Sequence, residues 1–384
     1  MRPGARTGTR SPGAHAPGTS GTGTSGTGTS GTGTSGTGTP GMGTPGMGTP
    51  GSPSTRSPGT HAPGTPGTRL PGTRSPDTIV LACALACAAV AMLAICVGST
   101  GWRSPWAWSA MIAELRAPRV VLGGLVGAGL AVAGVAMQAV LHNELADPYV
   151  LGVSGGASVG AVGSLALWPG MPPGPAAAIG AAGAALLVRG LARGPYDPTR
   201  VLLAGVALGS VLASATGAIL VLAPASQLLR SATSWLFGGL GTPRWSALIA
   251  PALAVTGATA WLSAQATRID RITLGADVAA ALGVNVAGLR RRLLVVAVVL
   301  TAIAVAAAGM VGFVGLIAPH AARRLVGAPH RHLIALAALL GALLVMAADA
   351  VARTAFAPRE LPVGLVTASI GGPVFLWQLQ RGPR

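Results

Sequence analysis

Few residues in this sequence have the chemistry of a reaction centre. Gly152-Val153-Ser154-Gly155-Gly156 has the G-x-S-x-G spacing of an activated serine, and also resembles the G-x-S-G of rhomboid intramembrane proteases. His320 is the histidine that would act as its base. No strand-like run precedes Ser154. In a chain with 58 glycines, a Gly/Ser-rich helix start that lets backbones approach closely explains the same residues. Cys83 and Cys87 share a helix face, but no second pair completes a zinc site. With Cys96 they read as small apolar packing residues. His142, His330 and His332 lack metal-ligand spacing and are expected to be solvated loop residues. Lysine is absent, which excludes a Walker A phosphate loop. A self-coupled ion transporter needs a titratable group at mid-membrane. Asp349 is the deepest acid, with Arg353 one helical turn later, the spacing of a local ion pair. That pair either stabilises an outer helix end or presents Arg353 to a partner. No proton relay is evident, so the energy source is expected to lie outside the chain.

The elements that position these residues follow from composition. Of 384 residues 51% are hydrophobic and 9% charged, whereas soluble domains carry about 25% charge. The formal net charge is +17, yet aromatics are only 4%, too few for base-stacking platforms, so no nucleic-acid partner is expected. Residues 1–76 are almost entirely Gly, Thr, Pro, Ser, Ala and Arg, and 21–50 form five-residue units of the GTGTS, GTGTP and GMGTP type. Such a segment buries too little apolar area to offset its ordering entropy. It is expected to be a disordered cytoplasmic tail, and its apolar run starts too late for a signal peptide.

Residues 77–384 are expected to be an all-α polytopic membrane domain of about ten helices. A span needs ~20 mostly apolar residues. The candidate spans are 78–98, 119–141, 152–168, 174–192, 200–223, 245–264, 292–310, 312–326, 332–356 and 361–380, with a short interfacial helix at 226–240. With the N-terminus in the cytoplasm, 13 Arg after the tail fall inside and seven outside (Arg103, Arg116, Arg119, Arg230, Arg244, Arg353 and Arg359). This obeys the positive-inside rule and puts both termini in the cytoplasm. The longest cytoplasmic connection, 265–291, holds a short helical pattern from Ala276 to Leu282 between Gly275 and Gly283. A short helix there suits a groove on a soluble partner.

Several stretches together resemble the FecCD family of ABC-importer permeases. They are Arg116-Ala117-Pro118-Arg119-Val120, GLVGAGLAVAGVAMQAVLHNELADPYVLGVSGGASVGA (124–161), RVLLAGVALGS (200–210), SWLFGGLG (234–241), LGADVAAALGVNV (274–286), GMVGFVGLIAPHAARRLVG (309–327) and DAVARTAFAPRELPVGLVTASIGGPVFLWQL (349–379). The likeness covers about 78–384 and is nearest to the cobalamin-importer permease pattern. It departs at Glu144, where the family usually has Pro. The resemblance implies a type II ABC importer permease fold in the cell membrane. It implies a second permease copy (homodimer) or related permease, a separate ABC ATPase dimer and an extracytoplasmic substrate-binding protein. No cofactor, resident metal or catalytic residue is expected, and ferric siderophore is the expected cargo, with haem and cobalamin as alternatives. Arg116, Arg119 and Arg353 match the positions that receive the binding protein's glutamates. An always-charged fork suits a carboxylate. Leu274, Gly275, Asp277, Leu282 and Gly283 match the ATPase-coupling stretch. Thr199, Leu203, Gly205, Gly209 and Ser210, with Asn143, match the translocation path and gate.

Overall fold

The computed structural model describes residues 75–98, 101–102, 112–168, 170–192, 197–223 and 226–380. The expected disordered tail up to residue 74, and the loop and terminal arginines Arg103, Arg193, Arg381 and Arg384, lie outside the described residues. Twelve α-helices are present among the described residues: α1 (Pro76–Cys96), α2 (Ala117–Leu141), α3 (Val153–Leu167), α4 (Pro173–Leu191), α5 (Pro198–Leu222), α6 (Ser226–Leu236), α7 (Ile249–Thr273), α8 (Ala276–Ala281), α9 (Val286–Ala308), α10 (Val314–Val326), α11 (His330–Thr354) and α12 (Val363–Gln380). A two-residue antiparallel pairing, Val97–Gly98 with Gly101–Trp102, follows α1.

Each of the ten expected segments is a helix, α6 is the expected short helix and α8 is the helix inside the 265–291 loop. Only helices satisfy every backbone group within a bilayer without forming a closed barrel. Among the described residues seven helical stretches are long and apolar enough to cross a membrane: α1, the stretch Ile112–Leu141 containing α2, α4, α5, Trp245–Thr273 containing α7, α9 and α11. Helices α3 and α12 are apolar but shorter, and α10 carries Arg323 and Arg324 in its last turn. The chief boundary difference is at α7, expected to end at 264 but running on to Thr273. The apolar run does end near 264. Nothing breaks the helix, however, until Gly275, whose φ of +117° favours glycine.

The helix ends follow local chemistry. Ser75 accepts from the Thr78 N–H and Pro76 occupies the first turn of α1. Asp197 accepts from the Thr199 N–H to start α5, and Asn285 accepts from the Gly288 N–H to start α9.

Helix α2 is the centre of the described fold, packing on α7, α9, α10 and α11. In lipid, helices associate through close packing rather than water exclusion, so small residues sit at the crossings. A Cβ on Gly127 would fall on the Gly341 carbonyl of α11, and one on Gly134 would fall on the Gly315 carbonyl of α10. Gly156 of α3 and Gly180 of α4 meet in the same way. Helices α1 and α5 are the least buried of the seven candidate spans.

Candidate functional site

The three arginines singled out by sequence converge on one end of the fold. Arg116 closes a π-helical turn, Ile112–Arg116, that leads directly into α2, Arg119 is in the first turn of α2, and Arg353 is in the last turn of α11. Asp349 lies one turn before Arg353 and is 1% exposed. Its Oδ1 accepts from Arg119 Nε at 3.1 Å and lies 3.0 Å from Arg119 Nη2, while Oδ2 lies 2.9 Å from Arg353 Nε. Arg119 Nη1 also reaches Glu360 Oε2 at 2.7 Å. Arg119 and Arg353 thus meet two carboxylates, and with Arg116 at the same end positive charge is in excess.

The expected role asks each fork to face outward, but two of them turn inward. Arg353 Nη1 and Nη2 donate to Val97 O and Ala94 O, each at 3.0 Å. Arg116 Nη1 donates to Cys96 O at 3.0 Å and Ile95 O at 3.3 Å. These carbonyls are the orphan acceptors at the C-terminal end of α1, and cationic side chains there also complement the helix dipole. Arg116 and Arg353 are buried, while Arg119 sits at the rim with 12% of its side chain exposed. The i,i+4 pair of Asp349 and Arg353 is therefore structural, and its wider network comes from elements far apart in sequence.

The opposite end carries the loop of 265–291. Gly275 and Gly283 both have positive φ, +117° and +77°, and bracket α8. Ala279 packs inward, whereas Leu274, Val278 and Leu282 are 66%, 48% and 49% exposed. Val278 and Leu282 are one turn apart and face outward together, while Leu274 lies just before the break at Gly275. Val278 was not singled out by the sequence reading, although the 278/282 spacing carries the signal. Asp277 is exposed in the first turn of α8.

The roots of this unit are tied down. Arg271 Nη1 donates to Leu282 O at 3.4 Å. His142 Nε2 donates to Ile272 O at 3.0 Å. Asp270 Oδ1 accepts from the His330 backbone N–H at 3.1 Å and from its Nδ1 at 2.6 Å. This corrects the expectation that His330 is a solvated loop residue. It is 3% exposed and links the end of α7 to the start of α11.

The turn after α2 holds Asn143, whose Oδ1 accepts from Leu145 N–H at 2.9 Å. Glu144, the departure from the family pattern, lies 3.9 Å from Arg323 Nε and 4.0 Å from His320 Nδ1. Arg323 in turn donates to Gln138 Oε1. Asp147 caps the 3-10 turn Pro148–Leu151 by accepting from Tyr149 N–H at 2.8 Å. Burial pushes the Asp147 carboxyl up to about 6. Burial, with Asp147 alongside, raises the Tyr149 phenol as well, and its oxygen accepts from Val311 N–H at 3.3 Å.

Along α5 the path candidates separate by face. Thr199, Leu203 and Ser210 lie on an exposed stripe. Gly205 and Gly209 instead face α3, where a Cβ on Gly152 or Gly155 would meet their backbone. Ser154 O accepts from Ser158 Oγ at 2.8 Å, and among the described residues no hydrogen bond or ion pair joins Ser154 to His320. No group of three or more His, Cys, Asp or Glu residues among the described residues is arranged to hold a metal.

Comparison with known proteins places this geometry in context. The FecCD transport family model matches residues 78–381. The chain is 39% identical over 277 residues to the hemin transport system permease protein HmuU of Yersinia pestis, covering 70% of this chain and 82% of that protein. It is 42% identical over 274 residues to the cobalamin import system permease protein BtuC of Halobacterium salinarum, covering 70% and 73%. It is 40% identical over 287 residues to the Fe(3+) dicitrate transport system permease protein FecD of Escherichia coli, covering 73% and 89%. A solved structure of an inward-facing metal-chelate type ABC transporter superposes with a TM-score of 0.73 at 28% identity, covering 80% of this chain and all of that one.

Proposed function

The chain belongs to the FecCD transport family, and from that premise we propose that it is the permease subunit through which an ATP-driven importer moves ferric siderophores across the cell membrane by alternating access. It is a multi-pass membrane protein and an ABC importer permease by family.

The observation that carries it is α8. A short helix held between two positive-φ glycines presents Val278 and Leu282, with Leu274 exposed just before it and the acid Asp277 alongside. That apolar surface suits a groove on a separate ATPase. Arg271 ties α8 to the end of α7, which His142 joins to α2 and the Asp270–His330 pair joins to α11. Motion of α8 is thereby delivered to the helices that cross at Gly127–Gly341. ATP-driven closure of the ATPase dimer then biases one of two helix packings.

At the other end the binding protein docks on the cluster of Arg119, Arg116 and Arg353. Arg119 at the rim meets the incoming carboxylate, while Arg116 and Arg353 supply field from behind and fix α1. The exposed stripe of Thr199, Leu203 and Ser210 faces the translocation path, completed by a second permease copy, and Asn143 lies at the gate. Small and uncharged side chains give a bulky cargo a wide, weakly binding route. The Arg distribution supports cytoplasmic termini. Haem or cobalamin is the second reading, favoured by the relatives named for those cargoes.

The test is ATP-dependent uptake of radiolabelled ferric siderophore in a strain lacking this chain, with the gene restored. Restored uptake that is lost when 275–283 is scrambled supports the reading. Uptake of cobalamin or haem alone changes the cargo, and failure with all three overturns the importer assignment.

A further inference from the structure

Helices α4 and α9 run antiparallel and touch at one end, where a Cβ on Gly174 would fall on the Ala306 carbonyl. Toward the other end a gap opens between them, lined by residues between Ala182 and Ala192 and between Asn285 and Val299. The gap is a cavity of about 1040 Å³, at the top of the ~300–1,000 Å³ range of small-molecule sites. Its walls are apolar and come from both helices, with Leu151 and Val201 behind. Leu186, Val295 and Val299 line it and are 68%, 52% and 46% exposed, so it opens sideways on the apolar surface of two candidate spans. Its charged lining residues are all arginines, Arg189, Arg290 and Arg291, and Asn285 is the remaining polar one. They gather at the end where α4 stops and α9 starts. Arg189 and Arg291 are exposed there.

We propose that this cavity is a binding site for one anionic phospholipid, with acyl chain between α4 and α9 and phosphate on Arg189, Arg290 and Arg291. The two chemistries of the site belong together only in an amphiphile. A free phosphate leaves the apolar walls uncovered, and a neutral lipid brings no net negative charge to the arginine end. An irregular peptide meets polar partners only at the arginine end, and along the apolar walls its backbone groups find none. Basic pockets between helices at a membrane surface are a recurrent way to hold anionic headgroups. The inference rests on the membrane-spanning reading of α4 and α9 and does not depend on the cargo or the ATPase.

The test uses the purified full chain, delipidated in detergent and titrated with phosphatidylglycerol, phosphatidylcholine or glycerol phosphate. Bound equivalents are counted by native mass spectrometry. One phosphatidylglycerol per chain is expected, with phosphatidylcholine bound at least tenfold more weakly. Arg189→Gln with Arg291→Gln weakens phosphatidylglycerol about 30-fold, near fivefold for each arginine, and leaves phosphatidylcholine unchanged. Val295→Trp, which fills the cavity from its open side, weakens both lipids and keeps the arginines. Equal affinity for the two lipids, no loss in the double variant, or glycerol phosphate binding as tightly as phosphatidylglycerol overturns the proposal. So does a loss of chain dimers in Val295→Trp with lipid binding unchanged, which makes a second copy the occupant.

Discussion

Asp349 is the residue on which the three-arginine cluster turns, and its removal gives a sharp prediction. Its two carboxylate oxygens serve Arg119 and Arg353, both of which are largely withdrawn from solvent. Asp349→Ala leaves two guanidinium groups facing an apolar hole. Breaking a buried pair by deleting one partner costs about 3–5 kcal/mol. Arg119 keeps Glu360 and Arg353 keeps the carbonyls of α1, which places the loss nearer the lower figure. Asp349→Asn keeps an acceptor and loses the charge, and it costs about 1.5–3 kcal/mol, the scale of a hydrogen bond to a charged group. At ~2–4 °C per kcal/mol for a large domain, Asp349→Ala lowers the melting midpoint by about 6–20 °C and Asp349→Asn by less.

Cys96 makes a direct reporter, because it is 3% exposed and lies at the α1 end that Arg116 and Arg353 hold. Thiol-dye melting in a Cys83→Ser, Cys87→Ser background should show Cys96 reacting earlier in both variants, and earliest in Asp349→Ala. A midpoint within ~2 °C of the parent for Asp349→Ala, or an Asn variant worse than the Ala variant, refutes the argument. ATP-dependent uptake should survive Asp349→Asn. Its loss in a protein that still melts as the parent does would instead make Asp349 a coupling acid.

Two further predictions concern backbone contact and pH. Gly134→Val in α2 places side-chain atoms where the Gly315 carbonyl now lies, and overpacking of this kind costs ~1–3 kcal/mol or more; the variant should be recovered from membranes in lower yield than Gly163→Ala, where nothing lies within 4 Å. Asp147 titrates in the fold near 6, above its ordinary 3.8, so its ionisation is harder folded than unfolded. The stability it contributes is present below about pH 4 and lost as pH rises through 6; Asp147→Asn should therefore flatten the change in melting midpoint between pH 4 and 7, and an unchanged pH profile counts against the burial of this carboxyl.

The helices were legible because each apolar run is bounded by Pro, Gly, Asp or Asn, and α8 because two glycines frame it. The end of α7 was not, since composition marks where apolar residues stop, and a helix continues until its backbone is turned. The three arginines were found by family likeness, but their geometry was hidden. Only the fold brings the last turn of α1 against the start of α2 and the end of α11, and so offers Arg116 and Arg353 carbonyls rather than solvent. His330 was misread for the same reason: its partner Asp270 lies on another helix. The exposed and buried faces of α5 were implicit in helical periodicity, yet a uniformly apolar helix does not say which face meets lipid, protein or path.

The hold on α1 has an asymmetry of its own. Its four acceptors are main-chain oxygens, of Ala94, Ile95, Cys96 and Val97, and every amino acid carries one. Side chains along the last turn of α1 can therefore drift without loosening the clasp. The donors cannot, since no other side chain offers a fork of that reach. Nor can Gly98, because a Cβ there would sit 2.7 Å from the Arg116 guanidinium carbon. Random substitution across this end of the protein should leave Leu93, Ile95 and Val97 more permissive in size than the buried Ala94 and Cys96. Arg116 and Arg353, far apart in sequence, should tolerate substitution least, with Gly98 next because a side chain there displaces the Arg116 guanidinium from its carbonyls.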